Sequence, residues 1–177
     1  MSKKRLATVW LDGCSGCHMS FLDIDERLLT LAESAELVYS PLVDAKIFPE
    51  GVDVTLVEGA VSSEDDLYKI KVVRQRTSTL VSLGDCAVTA NVSGMRNPFT
   101  SASVYDRAYR ENATLNPSIP DQIVPRLLPQ SRPIHEFVTV DVFVPGCPPS
   151  ADTIFFVVSE LLVGRRPELS SRTRFGA

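Results

Sequence analysis

Four cysteines are the side chains in this sequence best suited to chemistry. Cys14 and Cys17 form a C-x-x-C pair, whereas Cys86 and Cys147 stand alone much further along the chain. A glycine lies close to each of them, which allows tight turns and lets backbone N–H groups approach an anionic centre. Helix N-termini beside such turns would favour thiolate over thiol. Four thiolates in such a site can hold a zinc ion or a [4Fe–4S] cluster.

The spacing of the cysteines bears on which group they bind. Structural zinc sites usually present two C-x-x-C pairs; this sequence has one, so the spacing favours an iron–sulfur cluster and leaves zinc open. Two other motifs overlap the pair. The stretch from Cys14 to His18 matches the c-type haem signature C-x-x-C-H, and a C-x-x-C pair after a first strand is typical of thioredoxin-like redox proteins. Both interpretations leave Cys86 and Cys147 without a role.

The composition excludes several classes of protein. The chain has 177 residues, 44% hydrophobic and 23% charged, which is the balance of a soluble globular domain. Its net charge of −4 argues against a nucleic-acid partner, because phosphate binding needs a basic face. No apolar run is long enough to span a membrane, and no secretory signal is recognisable. We therefore expect a cytoplasmic location, where thiols stay reduced.

Alternating apolar runs and helical periodicities predict the elements that position the cysteines. Strands are predicted at 6–11, 35–39, 52–57, 79–83 and 138–144. Helices are predicted from Ser20, with Asp23 as a weak capping box, from Ser63, and over 150–163. This order predicts an α/β fold with a flavodoxin-like, doubly wound, mostly parallel sheet. Each cysteine falls in a strand-to-helix turn, so all four should lie in loops at the C-terminal strand ends.

We expect a single domain over residues 1–177 with two irregular segments. Residues 97–133 hold six of the twelve prolines and show little hydrophobic periodicity. A structureless stretch of that length is usually functional or disordered. It is either a mobile surface loop or a segment that lies across a partner subunit. Residues 165–177 are predicted to be a polar, solvated C-terminal tail.

Four stretches carry a resemblance to a known family: 10–20 (WLDGCSGCHMS), 58–59 (EG), 83–87 (LGDCA) and 145–149 (PGCPP). Together they resemble the small subunit of [NiFe] hydrogenases, and most closely the cytoplasmic, NAD-reducing (bidirectional) group. The motifs extend from residue 10 to about 165. The last stretch is also similar to the cluster-bearing subunit of respiratory complex I. That relative has adjacent cysteines in place of the C-x-x-C pair, which favours the hydrogenase.

The resemblance implies a cofactor and partners. Cys14, Cys17, Cys86 and Cys147 match the ligands of one [4Fe–4S] cluster, proximal to a Ni–Fe centre in the large subunit. The chain would hold no catalytic residue and would relay electrons to a diaphorase module that contains Fe–S clusters, FMN and the NAD site. Alternatives are the small subunit of a ferredoxin- or deazaflavin-linked [NiFe] hydrogenase, a complex I-like cluster subunit, or a zinc-stabilised interaction subunit with no redox role.

Five further residues lie near the predicted site or on its strands. Glu58 is either a solvated or capping carboxylate, or a group beside the cluster or at an interface. His18 is expected to pack or form hydrogen bonds rather than bind metal, because four thiolates complete the cluster. Asp12 and Asp85 flank cysteines, where negative charge would lower the reduction potential. Trp10 is expected in the core. Because cysteines occupy the turn after the first strand, FMN is not expected in this chain.

Overall fold

The computed structural model describes residues 3–173 and 175 and contains a five-stranded sheet. The strands of this described part are β1 (Lys4–Trp10), β2 (Ala35–Tyr39), β3 (Val52–Glu58), β4 (Val61–Ser63), β5 (Thr77–Leu83), β6 (Leu127–Arg132) and β7 (Val142–Val144). The helices are α1 (Gly16–Leu22), α2 (Arg27–Ser34), α3 (Glu64–Arg76), α4 (Gly84–Thr89), α5 (Asn91–Gly94), α6 (Ser101–Asp106) and α7 (Ala151–Leu162). A π-helical turn covers Arg107–Glu111 and a 3-10 turn covers Ile134–Glu136.

The central sheet has the strand order β2-β1-β3-β5-β7, and every neighbouring pair is parallel. Counted among these five strands alone, the order is 2-1-3-4-5, which is the flavodoxin-like doubly wound arrangement. Strands β4 and β6 form a separate antiparallel pair. The predicted α/β class and mostly parallel sheet are therefore confirmed.

Strand side chains fill a hydrophobic core on each face of the sheet. Leu6 and Leu56 pack in one core with α1, α2 and α7, whereas Ala7 and Val57 pack in the other with α3. This alternation follows from the pleat of a strand, and burial on both faces explains the nearly continuous apolar runs in the sequence. With both faces covered, the carboxyl ends of the strands are the part of the sheet available to a ligand.

The first helix differs from the prediction. It begins at Gly16, two residues after Cys14, and a second helix follows at Arg27, so the expected single helix from Ser20 is wrong. The Ser20 hydroxyl does not cap a helix; it donates a hydrogen bond to the carbonyl oxygen of Pro149 at 2.5 Å. The chain bend between α1 and α2 passes through Asp25, a non-glycine residue with φ of 55°. Local capping preference was therefore overridden by a tertiary contact.

Trp10 and the last strand also differ from expectation. Trp10 is 44% exposed at the end of β1 rather than part of the core. The last strand covers only Val142–Val144, because a 3-10 turn and an irregular stretch occupy the preceding residues. Asp141 ends that stretch, and its carboxylate accepts hydrogen bonds from the backbone of Leu80 and from Arg74. Val138 and Val140 pack in the α3-side core without joining the sheet.

The two irregular segments contain more structure than the sequence suggests. Within 97–133 lie α6, the π-helical turn and β6, which pairs with β4. Within 165–173, Pro167 is buried, Leu169 packs against the core, and the Arg172 guanidinium lies 4.0 Å from the ring centre of Phe156. Most other residues of 165–173 are exposed; residues 174, 176 and 177 lie outside the described residues. Across the described residues, helices of membrane-spanning length and apolarity are absent.

The N-terminus of α3 illustrates how local sequence sets an element. Ser63 and Asp66 form a reciprocal capping box: the Ser63 hydroxyl accepts from the Asp66 backbone N–H at 3.1 Å, and the Asp66 carboxylate accepts from the Ser63 backbone N–H at 3.0 Å. Acidic residues fill the first turn and Arg74 and Arg76 the last, which suits the helix dipole. The predicted start of this helix is therefore confirmed.

We expect Ser63→Ala to lower the free energy of unfolding by about 1 kcal/mol, because the Asp66 N–H loses its capping partner. Urea-induced unfolding followed by far-UV circular dichroism measures this change. Ser118→Ala, at an exposed position, is the matched control and should change stability by less than about 0.5 kcal/mol. Equal effects of the two substitutions would contradict the capping role.

Candidate metal centre

The structure brings the four predicted cysteines together. Cys14 lies in the loop after β1, Cys17 in the first turn of α1, Cys86 in the first turn of α4 after β5, and Cys147 in the loop after β7. All four line one cavity of about 70 Å³ at the carboxyl edge of the sheet. Cys17 and Cys86 are buried, whereas Cys14 and Cys147 are exposed. The cavity therefore has an inner and an outer pair of thiols.

Two glycines permit the close approach of these loops. Gly84 has φ of 82°, and a Cβ there would overlap the Sγ of Cys17. Gly146 has φ of 143°, and its Cβ would lie 2.7 Å from the Cα of Pro149. Any larger residue would strain the backbone and push against a thiol or the backbone of the Cys147 loop. Glycine is therefore needed at both positions because a side chain would clash with neighbouring atoms, and also because the backbone adopts a positive φ.

Asp85 joins the loops that carry Cys86 and Cys147. Its carboxylate Oδ1 accepts a hydrogen bond from the Gly146 N–H at 2.7 Å, and its own N–H donates to the Gly146 carbonyl at 2.9 Å. The residue is only 4% exposed. Asp85 therefore lies inward at the cavity, whereas Asp12 is half-buried in the loop that precedes Cys14.

Glu58 and His18 form a buried pair at the cavity wall. The Glu58 carboxylate is 2% exposed and its Oε2 lies 2.5 Å from Nδ1 of His18, whose backbone N–H also donates to it at 2.9 Å. The interpretation of Glu58 as a solvated carboxylate is therefore wrong. His18 forms hydrogen bonds as expected, and its buried Nε2 has no hydrogen-bond partner among the described residues.

Hydrogen-bond donors on α5 face two of the thiols. The side-chain amide of Asn91 donates to the Sγ of Cys147 at 3.6 Å, and backbone N–H groups of Val92 and Ser93 hydrogen-bond to Cys86. Sequence reasoning missed these residues. The only sequence signal was that Asn91 follows Cys86 by little more than a helical turn. The contact between Asn91 and Cys147 also depends on Ala90, whose φ of 65° introduces a left-handed kink between α4 and α5.

Burial dominates the proton affinity of the inner thiols. It raises the pKa of Cys17 far above the usual range, and the Glu58 carboxylate and the other three cysteines add to the rise. The pKa of Cys86 is also raised by burial, although the N–H groups of Val92 and Ser93 oppose the rise. The expectation that helix N-termini favour thiolate is thus outweighed. Deprotonating this site requires compensating positive charge, which metal ions supply.

The donor set fits a group larger than one ion. Around a single zinc ion with bonds of about 2.3 Å, four sulfurs would lie within roughly 4 Å of one another. The thiols instead surround a cavity of about 70 Å³, compared with the roughly 10–15 Å³ that one water-sized sphere needs. Four sulfurs around such a space suit a multinuclear iron–sulfur group.

Comparison with known proteins gives this arrangement a family. Residues 14–161, which include all four cysteines, match the family described as NADH ubiquinone oxidoreductase, 20 Kd subunit. The chain belongs to this family. It is also 42% identical, over 96% of its length and 83% of the relative's, to the NAD-reducing hydrogenase HoxS subunit delta of Cupriavidus necator. The resemblance to small subunits of NAD-reducing [NiFe] hydrogenases is therefore confirmed.

Solved structures and more distant relatives agree. A chain of NAD+-reducing [NiFe]-hydrogenase in the H2-reduced state superposes with a TM-score of 0.93 at 39% identity, covering 98% of this chain and 99% of that one. A subunit of the vhu F420-non-reducing hydrogenase of Methanocaldococcus jannaschii is 35% identical over 95% of this chain, which spans only 59% of that relative. A [NiFeSe]-hydrogenase of Dm. baculatum, 19% identical with a TM-score of 0.62, shares the fold.

Gly84 and Gly164 have similar positive φ angles, 82° and 76°, and together allow a controlled test of the close approach between Gly84 and the Cys17 sulfur. Gly164→Ala should cost about 1–2 kcal/mol, because its φ of 76° is unfavourable for alanine while no atom lies within 4 Å of the new Cβ. Gly84→Ala has the same backbone cost and also displaces the Cys17 sulfur, which should add about 1–3 kcal/mol and reduce bound iron. Unfolding free energy and iron content per chain measure the two effects; equal losses in both variants would contradict the contact.

Proposed function

We propose that this chain is the electron-transfer small subunit of an NAD-reducing [NiFe] hydrogenase, built as one flavodoxin-like cluster-binding unit. The observation that supports the proposal is the convergence of four thiols on one cavity in a chain 42% identical to a HoxS delta subunit. The reaction served is hydrogen oxidation coupled to NAD reduction, and its reverse. A cytoplasmic location belongs to the same proposal.

Cys14, Cys17, Cys86 and Cys147 would hold one [4Fe–4S] cluster. When bound, such a cluster accepts and returns single electrons. Gly84 and Gly146 bring the loops close enough for all four thiols to reach it, and Asp85 fixes two of those loops relative to each other. Burial of Cys17 and Cys86 keeps water from the inner sulfurs. In this proposal the chain contributes no catalytic acid or base. It binds the cluster, orients the four thiols and shields the inner sulfurs from water.

The outer face of the cavity is where we place the large subunit with the Ni–Fe centre. Cys14 and Cys147 are exposed there, and exposed apolar side chains lie near the cysteines in sequence: Trp10 at 44%, Met19 at 56%, Val92 at 53% and Met95 at 72%. Contiguous apolar exposure marks protein interfaces, and we propose that these four side chains belong to one such surface. A large subunit on this face would exclude water from the outer thiols and bring its own redox centre near the cluster.

The onward acceptor would be a diaphorase module with Fe–S clusters, FMN and the NAD site. We assign all four cysteines of this sequence to one cluster and propose that the next electron carrier lies in the diaphorase module. The F420-non-reducing hydrogenases leave a different carrier as the alternative, because their matching subunits are 35% and 37% identical along nearly all of this chain. The chain spans 83% of the HoxS delta subunit and 56–60% of four of those subunits. Its higher identity to the HoxS delta subunit, 42%, supports the NAD-linked assignment.

Cys86→Ser tests the electron relay. In the purified complex we expect it to abolish hydrogen-dependent NAD reduction, because a buried ligand is lost, while NADH-dependent dye reduction by the diaphorase module persists. Thr89→Ser, in the same helix and with its hydroxyl retained, is the matched control and should keep both activities. Undiminished hydrogen-dependent NAD reduction by the Cys86→Ser complex would contradict the proposal. One zinc per chain with no acid-labile sulfide in the wild type would establish the zinc-stabilised alternative instead.

Met95→Glu tests the docking face. Placing a carboxylate in the apolar surface should weaken association with the large subunit at least tenfold, equivalent to about 1.4 kcal/mol, as measured by co-purification and titration of the separated subunits. Ile47→Glu is the matched control: Ile47 is 81% exposed and precedes β3, at the opposite end of the sheet from the cysteines. The docking assignment fails if both substitutions weaken association equally, or if neither does.

A further inference from the structure

The short helix α5 contacts three of the four cysteine loops. The Asn91 amide donates to the Sγ of Cys147 at 3.6 Å, and the Ser93 hydroxyl donates to the carbonyl of Asp12, before Cys14, at 2.7 Å. Backbone N–H groups of Val92 and Ser93 hydrogen-bond to Cys86. These contacts depend on the direction of α5, which the left-handed backbone at Ala90 turns away from α4.

A left-handed alanine is unfavourable. The conformation costs roughly 1–2 kcal/mol for a residue with a Cβ, and it persists only where the surrounding structure imposes it. Here the Ala90 N–H donates to the Cys86 carbonyl at 2.9 Å and the Gly94 N–H donates to the Ala90 carbonyl at 2.7 Å, so both sides of the kink are held by hydrogen bonds. These hydrogen bonds impose the left-handed conformation, which keeps the donors of α5 beside the sulfurs.

Acidic side chains and hydrogen-bond donors both surround the cysteines. Glu58 and Asp85 are buried acids in the cavity wall, and no Lys or Arg of the described residues lines it. Carboxylates oppose any further negative charge at the cysteines, whereas donors to sulfur stabilise it. Addition of one electron makes the cysteine sulfurs more negative. Hydrogen bonds from α5 therefore favour the reduced state, and the acids favour the oxidised state.

We propose that the hydrogen bond from the Asn91 side-chain amide to the Cys147 sulfur raises the reduction potential of the cluster held by the four cysteines. The inference rests on the proposed function, since it requires that cluster. Asn91 is suited to this role because its side chain is exposed and, unlike the backbone donors on Cys86, can be exchanged without altering the chain path. Cys147 is also an outer thiol, so the donor acts on the side of the cluster where we place the large subunit.

The test uses the purified hydrogenase complex carrying Asn91→Ala or Asn91→Asp. The alanine variant removes the donor; the aspartate variant replaces it with an acceptor-only carboxylate of nearly the same shape. We expect the midpoint potential, measured by EPR-monitored redox titration, to fall in the order wild type, Asn91→Ala, Asn91→Asp. Asn112→Ala and Asn112→Asp make the same changes at an exposed residue outside the cavity lining and should leave the potential unchanged.

Iron and acid-labile sulfide analysis separates this inference from the proposed function. A wild-type complex that lacks an iron–sulfur signal from this subunit contradicts the proposed function itself. If the signal and iron content are normal and both Asn91 variants keep the wild-type potential, or shift it upward, Asn91 does not tune the cluster. If Asn91→Ala and Asn91→Asp lose iron while the Asn112 variants keep it, Asn91 supports the loop structurally, and the tuning role is likewise overturned.

Discussion

The cavity depends on holding two loops from different strands at a fixed separation, and a buried carboxylate does this. Asp85 accepts from the Gly146 N–H while its own N–H donates to the Gly146 carbonyl. The two strands that precede these loops, β5 and β7, pair only between Val81 and Leu83 on one side and Val142 and Val144 on the other. Because β5 and β7 pair over only three residues, the two hydrogen bonds between Asp85 and Gly146 continue the pairing beyond the strand ends. The positions of Cys86 and Cys147 follow from that extension.

In the absence of a bound metal, the surroundings of the cysteines disfavour ionised thiols. Burial and nearby negative groups raise the pKa of Cys17, and burial raises that of Cys86 despite two N–H donors. Metal binding must therefore release protons and replace them with metal charge. After that replacement the same surroundings act on reduction. With the proposed cluster bound, the buried Glu58 and Asp85 would disfavour added electrons and the donors of α5 would favour them, so the cavity wall would influence the reduction potential in both directions.

The sequence allowed the sheet and the meeting of the cysteines to be predicted, because both follow from short-range signals. Buried apolar runs that end in glycine and cysteine locate strand ends, and parallel strand ends share one edge. The start of α3 was predictable for the same reason, since Ser63 and its acidic neighbours act locally. What failed depended on distant contacts. Ser20 hydrogen-bonds to Pro149 rather than capping a helix, and α5 contacts the sulfurs only because Ala90 adopts a conformation unusual for alanine.

The difference between the inner and outer cysteines gives the site a direction. Cys17 and Cys86 are buried by the chain's own core, and the inner wall is completed by Glu58 with its His18 partner. Cys14 and Cys147 remain exposed, although a sulfur-ligated redox centre has its potential altered by solvent. Under the proposed function, the large subunit would complete the enclosure of the two thiols that this fold leaves at the surface. Electron transfer and subunit association would then use the same edge of the sheet, so a change that loosens the interface would also change the solvent exposure of the cluster.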